Sequence, residues 1–445
     1  MDTPTKQMAS PLNNVAYIGI ALLLGGLTAL VGGAFHEGVS QLGRVYAGLS
    51  QTLTLAAPWS YLLMALVSTS AFCLAVAIVR RFAPEASGSG VQEVEGAMAG
   101  ERYVRWHRVL PVKFIGGLLS LGAGLVGGRE GPTIHMGASL AQALVERFRL
   151  SGADAKALLG AGAAAGLTAA FSAPVASVLF IIEEARGTFP YSKRTYHAVI
   201  AAAAACGVLT IWWQGGAPFM AIYAQTMPVS FLWAFVLLGA LLGGVGVLFN
   251  RVILFSLDAA ARLSQHVSPY VLPACLGIMI GPLILWFPQA TGGGEHLVEV
   301  LVQHPLSIGM LGLLVMTRFV MTASSYAAGA PAGIFAPILA LAVVVSLFVG
   351  NVLALFVSVP DGAMVAFAVA GMAGLFASSI RAPMVGVVLI IELTGAHAAL
   401  MPSLLCAATA AIVAMALGGQ PIYDQLLQRT LRLAQTEALA HTKTK

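Results

Sequence analysis

The chain has 445 residues, 58% hydrophobic and only 9% charged, with a formal net charge of +5. Soluble domains carry about 25% charged residues, so a water-soluble globular protein is excluded and an integral membrane protein is implied; the mean hydropathy of +0.88 agrees. No basic stripe is interleaved with aromatics, which argues against nucleic acid, and the positive charge fits cytoplasmic loops and ends.

The chain opens on a short polar tail, Met1 to Asn14, followed by an apolar stretch over 15–34 that is long enough to span a bilayer and does not read as a cleavable signal. Further apolar stretches fall at 58–79, 109–126, 156–182, 196–214, 229–256, 268–287, 306–325, 333–358, 363–391 and 399–417. Their lengths are uneven: some are too short or too interrupted by Gly and Pro to cross alone, others can hold two segments. The 49 glycines fit the same picture. Small residues let membrane helices pack closely, and broken helices need Gly at their ends. The pattern predicts an all-α polytopic membrane protein of tilted and discontinuous helices, with its irregular backbone lining a cavity.

Between the second and third stretches lies Ser87-Gly88-Ser89-Gly90-Val91-Gln92-Glu93-Val94-Glu95-Gly96, a Gly/Ser turn leading into helix-compatible residues. Its hydroxyl and free N–H groups could meet an anion or simply cap a helix. After the third stretch comes Gly128-Arg129-Glu130-Gly131-Pro132-Thr133. A carboxylate among apolar runs is costly in a membrane and marks a functional site. The glycines bare the backbone, and Pro132 suits the first turn of a helix. A helix start aims N–H groups and a positive dipole end at whatever lies ahead, so Glu130 stands where a mobile anion would bind. His135, five positions on, reads as a structural, hydrogen-bonded histidine.

An internal repeat follows. Ala173 to Glu183 matches Ala382 to Glu392 at a constant offset of 209 positions, and Gly166-Leu167 matches Gly374-Leu375 at 208. Gly128 and Pro132 fall on Gly333 and Pro337 at 205. The halves divide near a polar break at 215–230, giving a first half over 13–218 and a second, inverted half over 228–423 within one transmembrane domain, 1–445, with a short cytoplasmic tail at 424–445. Repeats of this kind place a substrate between matching broken helices near the midplane. Glu183 reads as an interfacial residue paired with Arg186, Glu184 as a proton acceptor nearer one aqueous face, Glu392 as structural. Tyr423, just past the last apolar stretch, reads from spacing as an interfacial tyrosine, with an anion-donating phenol as the alternative. Arg429, Arg432, Lys443 and Lys445 favour a cytoplasmic C-terminus.

Cys73, Cys206, Cys275 and Cys406 stand singly in apolar runs and read as buried small hydrophobes. The histidines show no ligand spacing, so no metal and no cofactor is expected. An intramembrane serine protease would need Gly two residues before its Ser; at Ser87 that position is Glu85, so an enzyme is not expected. A purely structural scaffold fits badly with buried carboxylates.

Together these segments resemble the CLC family of chloride channels and chloride/proton antiporters. The resemblance rests on Gly88-Ser89-Gly90, Gly128 to Pro132, Gly333 to Pro337 and Pro421-Ile422-Tyr423 in the family's order, with Trp106, Arg108 to Lys113 and Phe180 to Glu184. It implies a homodimer in the cell inner membrane, multi-pass, both termini cytoplasmic, with two inverted repeat halves and one anion pathway per subunit. It implies chloride held by the hydroxyls of Ser89 and Tyr423 and the backbone N–H groups of Ile334 and Phe335. Glu130 would be the gating glutamate, and Glu184 the internal proton-transfer glutamate whose presence goes with antiport. Glu95 and Lys113 would give electrostatic support. The function implied is exchange of chloride for protons; a passive chloride channel is the alternative. Gln92 stands where the family usually has Pro, which bears on anion selectivity. Ser89 favours chloride over nitrate, and the intact anion-site motifs place fluoride low. No C-terminal nucleotide-binding regulatory pair follows, as in a compact prokaryotic form.

Overall fold

The computed structural model describes residues 13–52, 57–185 and 187–443. The polar tail to residue 12, Arg186 and Lys445 lie outside the described residues, and with them the expected Glu183–Arg186 pair. The helices are α1 (Asn14–Thr52), α2 (Ala57–Phe82), α3 (Val91–Ala99), α4 (Trp106–Gly122), α5 (Glu130–Arg147), α6 (Gly152–Phe171), α7 (Pro174–Glu184), α8 (Lys193–Gln214), α9 (Trp233–His266), α10 (Val271–Trp286), α11 (Leu297–Gln303), α12 (Ile308–Ala327), α13 (Phe335–Leu353), α14 (Ala363–Ile380), α15 (Pro383–Thr394), α16 (Leu400–Ala416) and α17 (Ile422–Lys443). Eight spans among the described residues are long and apolar enough to cross a membrane. Others are not: α3 has 9 residues and α7 has 11. At about 1.5 Å per residue they reach only half of a hydrocarbon core of roughly 30 Å.

The sequence explains where the long apolar runs break. The run over 156–182 divides at Ser172–Ala173, and the run over 363–391 at Arg381–Ala382. Ser172 and Arg381 adopt the left-handed region, φ 54° and 70°, a conformation that costs an L-residue about 1–2 kcal/mol. Each is followed by Ala-Pro. The proline lacks an N–H and sets φ for a new first turn, so the chain restarts as a second helix. Ala173 (φ −119°, ψ 73°) and Ala382 (φ −118°, ψ 75°) follow nearly the same backbone path.

The paired short helices then hold each other. Glu183, at the end of α7, accepts the N–H groups of Met384 (3.3 Å) and Val385 (2.7 Å) at the start of α15. Glu392, near the end of α15, accepts those of Val175 (3.1 Å) and Ala176 (2.7 Å) at the start of α7. Each carboxylate satisfies orphan donors of the opposite helix, and each sits at a positive dipole end. Glu183 is thus a helix cap across the repeat.

α5 and α6 meet at backbone contact. A Cβ on Gly162 would come 2.8 Å from the Gly137 carbonyl carbon, and one on Gly166 would come 2.7 Å from the Ile134 Cα. Gly162 and Gly166 are one small-residue spacing apart, the arrangement that lets membrane helices approach this closely. This contact fixes the direction from which α5 presents its first turn.

Three expectations need correction. Cys206 and Cys406 are buried, but Cys275 is exposed and Cys73 only half-buried, because one side of α2 and of α10 lies on the outer surface of the chain, where Leu62, Leu66, Ile278 and Met279 are also exposed. The polar C-terminal tail is the helix α17, and its first turns bury Ile422, Tyr423, Leu426 and Leu427. Helical spacing puts those four on one face, which the polar average of the segment conceals. His135 is buried, yet its Nδ1 has no hydrogen-bond partner among the described residues; it abuts Gly90 instead.

Candidate functional site

Three helix starts converge inside the molecule. α3 follows Gly90, which caps it at φ 88°, a conformation natural only for glycine. α5 starts at Glu130 itself, with Pro132 in its first turn. α13 starts at Phe335 after Ile334. Among the described residues there is no strand, but the segments leading into these helices are tied by two isolated bridges, Gly88 with Pro331 and Gly128 with Gly333. The Gly88 N–H donates to the Ala330 carbonyl, and the Ala332 N–H to that of Gly88, both at 3.2 Å. The Gly128 N–H donates to Gly333 O at 2.9 Å, and the Gly333 N–H to Gly128 O at 2.6 Å. The irregular backbone therefore satisfies its own polar groups where water is scarce.

Glu130 is fully buried. Its Oε1 accepts the Ala336 N–H at 3.2 Å, at the first turn of α13, and its Oε2 has no partner among the described residues. The carboxylate lies on bare backbone: a Cβ on Gly128 or on Gly333 would strike it. Two fully buried hydroxyls nearby are also without partners, Ser89 Oγ and Tyr423 Oη. The Tyr423 ring stacks on Phe335 with centroids 5.8 Å apart and planes at 29°. Phe335 is packed in turn by Phe376 at 5.0 Å and Phe180 at 5.6 Å. A Cβ on Gly131 would come 2.5 Å from Ser89 Oγ and 2.9 Å from the Gly333 Cα. The six sequence-predicted residues thus separate: Ser89, Glu130, Ile334, Phe335 and Tyr423 are brought together, and Glu184 is not.

Buried polar groups normally find partners. Two orphan hydroxyls and an orphan carboxylate oxygen beside a helix start make a place that wants a ligand, and the donors present select an anion. Among the described residues, no Lys or Arg nitrogen hydrogen-bonds to Glu130 Oε2, Ser89 Oγ or Tyr423 Oη. Lys113 is buried with its Nζ donating to Gly88 O (2.6 Å) and Ser89 O (3.0 Å), so it braces the turn that presents Ser89. The Ser89 hydroxyl does not cap α3, since Gly90 is the cap residue and accepts no side-chain bond.

Glu184 lies at the α7 terminus on the wall of a separate cavity of about 370 Å³, shared with Glu95, Glu183, Arg381 and Asp424. Both Glu95 oxygens are buried without a partner among the described residues. On the same side, near the base of Ser89, a second cavity of about 280 Å³ is lined by Gly88, Gln92, Glu93, Arg102, Tyr326 and Arg429. Gln92, in the position that departs from the resemblance, turns an amide with an unpartnered oxygen toward this region. Sequence reasoning gave Glu95 only a supporting role and did not single out Asp424 or Tyr326. Glu95 carried a signal, a second carboxylate two positions after Glu93 on a short apolar helix; the others became visible only once α12 and α17 were in place.

A family model described as voltage gated chloride channel matches residues 71–415. The chain belongs to that family, the CLC family. It is 39% identical over 434 residues to a protein of Salmonella schwarzengrund named H(+)/Cl(-) exchange transporter ClcA, covering 96% of this chain and 91% of the relative; the protein of the same name from Salmonella arizonae matches to the same degree. Among solved structures, a slow cyanobacterial Cl-/H+ antiporter superposes with a TM-score of 0.89 at 34% identity, over 95% of this chain and 99% of that one. A CLC-type fluoride/proton antiporter superposes with a TM-score of 0.74 at 19% identity, over 91% and 97%, a likeness of fold. The protein is a multi-pass membrane member of the family, with the CLC architecture of two inverted halves built from tilted and broken helices.

Proposed function

We propose that this protein is a secondary active transporter that exchanges chloride for protons, with Glu130 as the gating glutamate. The observation that carries this reading is the Glu130 carboxylate seated on the first-turn amide of α13, beside the unpartnered hydroxyls of Ser89 and Tyr423. An ionised carboxylate there stands in for the transported anion. Protonation removes its charge and its attraction to the helix start, so the side chain leaves and chloride takes the seat. Chloride is held by the hydroxyls of Ser89 and Tyr423 and the N–H groups of Ile334 and Phe335, dipoles that bind it yet let it go. When chloride departs, Glu130 releases its proton and returns. One seat with two alternating occupants enforces exchange.

Glu184 hands protons inward or outward through the cavity that it shares with Glu95 and Asp424, a route separate from the anion path. The names of the relatives, a H(+)/Cl(-) exchange transporter and a Cl-/H+ antiporter, support exchange over conduction. A passive chloride channel is the second reading, favoured only by the wording of the family description. Crossed gradients separate the two: in proteoliposomes, a steep chloride gradient should drive protons uphill, and the reversal potential should move with pH. A reversal potential that follows chloride alone would overturn exchange.

The same reading places the halves at 13–218 and 228–423, supported by the matching backbone at Ala173 and Ala382 and by the reciprocal glutamate caps. It places the protein in the cell inner membrane with both termini cytoplasmic, supported by Arg102, Arg105, Arg108, Arg147, Arg149, Lys156, Lys193 and Arg194 at or beside helix ends, of which Arg102 lines a cavity with Arg429 of α17. It makes the protein a homodimer, supported by exposed apolar side chains on α8 and α16, among them Trp212 (83%) and Met415 (61%).

A further inference from the structure

On the face of the molecule reached from Glu130, a cavity of about 370 Å³ is lined by Arg44, Leu121, Arg129, Gly293, Glu295 and His296, among others. Arg129 precedes Glu130 and is nine-tenths buried. Its Nε donates to the Ala170 carbonyl at 3.2 Å, and its guanidinium lies over the Phe219 ring at 4.7 Å. Its Nη2 has no hydrogen-bond partner among the described residues. It looks instead at the Glu295 carboxylate, 3.7 Å away, which is too far for a hydrogen bond.

Glu295 is held in place by its loop. Arg318 is buried and donates to the carbonyls of Gln289 (2.7 Å), Thr291 (2.9 Å) and Gly292 (3.4 Å). The Gly292 N–H donates to Gly124 O at 3.1 Å. Gly294 has φ 79°, and a Cβ there would come 2.7 Å from Arg318 Nη2. The triple glycine is therefore a fitted turn that sets one carboxylate, 22% exposed, opposite one free guanidinium nitrogen.

We propose that Glu295 sets the affinity for chloride at this mouth by competing with the incoming anion for Arg129 Nη2. Its carboxylate cancels the Arg129 charge that would draw chloride toward the Glu130 seat, and a neutral side chain in its place leaves that charge to the anion. The charged groups around Glu295 are Arg129 and Glu130 at the start of α5, the Glu37–Arg44 pair and His36 on α1, neighbouring His296, and Arg318 on α12, whose donors are committed to carbonyls.

This rests on the exchange reading above. The test is chloride flux through the full-length protein in proteoliposomes, with the chloride concentration varied on the Glu130 side at neutral pH. Glu295→Gln should lower the apparent KM for chloride about fivefold at neutral pH, the effect of roughly 1 kcal/mol from one nearby charge in a partly wet site. It should leave the chloride-to-proton ratio unchanged. Glu295→Asp should restore the wild-type KM. A merely structural glutamate would cost turnover in both variants without moving KM. If KM in Glu295→Gln stays within about twofold of wild type while wild type exchanges chloride for protons, this inference fails and the exchange reading stands. If wild type moves chloride without protons, the exchange reading fails first.

Discussion

The starts of α5 and α13 share the same Gly-to-Pro spacing and are joined by reciprocal backbone bonds, yet only one of them carries a charge. At α5 the residue that begins the helix is Glu130; at α13 it is Phe335. The α5 start supplies a carboxylate able to move, and the α13 start supplies fixed amides and a wall of aromatic rings. The starts of α7 and α15 differ from this pair. There the symmetry extends to the side chains, because each helix is capped by a glutamate from the end of the other. Where the repeat stays symmetric it builds a frame, and where it departs from symmetry it builds the proposed transport site.

Breaking the asymmetric pair should have the largest effect. Glu130→Ala removes the mobile occupant, so proton uptake driven by a chloride gradient should fall to the background of empty liposomes while chloride still flows. Uphill proton movement by that variant, read with a pH electrode, would sink the mechanism. Gly131→Ala sharpens the same contrast from the backbone side. Its Cβ has no room beside Ser89 and Gly333, so chloride flux should drop by at least about tenfold, the result of a barrier raised by roughly 1.4 kcal/mol, in protein that still elutes as a folded species.

A milder change targets the proton route alone. Glu184→Gln should reduce proton flux severalfold or more and leave chloride transport measurable, raising the chloride-to-proton ratio; equal loss of both ions would place Glu184 on the anion path instead. The symmetric pair should respond least. Glu183→Ala and Glu392→Ala each expose two helix-start donors, at a cost of about 1–2 kcal/mol. Both should lower the thermal midpoint in detergent by similar amounts. A large difference between the two would mean that the caps are not equivalent.

Much of this was legible in the chain. Gly, Pro and Glu stand out against an apolar background, so the motif at Glu130, its echo at Gly333 and the breaks before Pro174 and Pro383 could be read directly. The constant offset between Ala173 and Ala382 foretold two helices that end and restart alike. Tertiary placement supplied the rest. Tyr423 reads as interfacial from its neighbours; it is buried because one face of α17 folds in against the core. Glu184, Glu95 and Asp424 lie far apart in the chain, and no local pattern predicts that they share a cavity. The contacts of Glu183 with the N–H groups of Met384 and Val385 in the opposite repeat have no local signal in the sequence. The Gly292 to Gly294 turn looks like a flexible connector until Arg318 is seen to occupy the space that a side chain at Gly294 would need.

The bridges between Gly88 and Pro331 and between Gly128 and Gly333 stitch the two repeats together beside Ser89 and Glu130. A seam of main-chain bonds at that level resists the rocking by which many carriers expose a site first to one side and then to the other. In the proposed mechanism the rotation of single side chains, not the movement of whole repeats, directs the traffic.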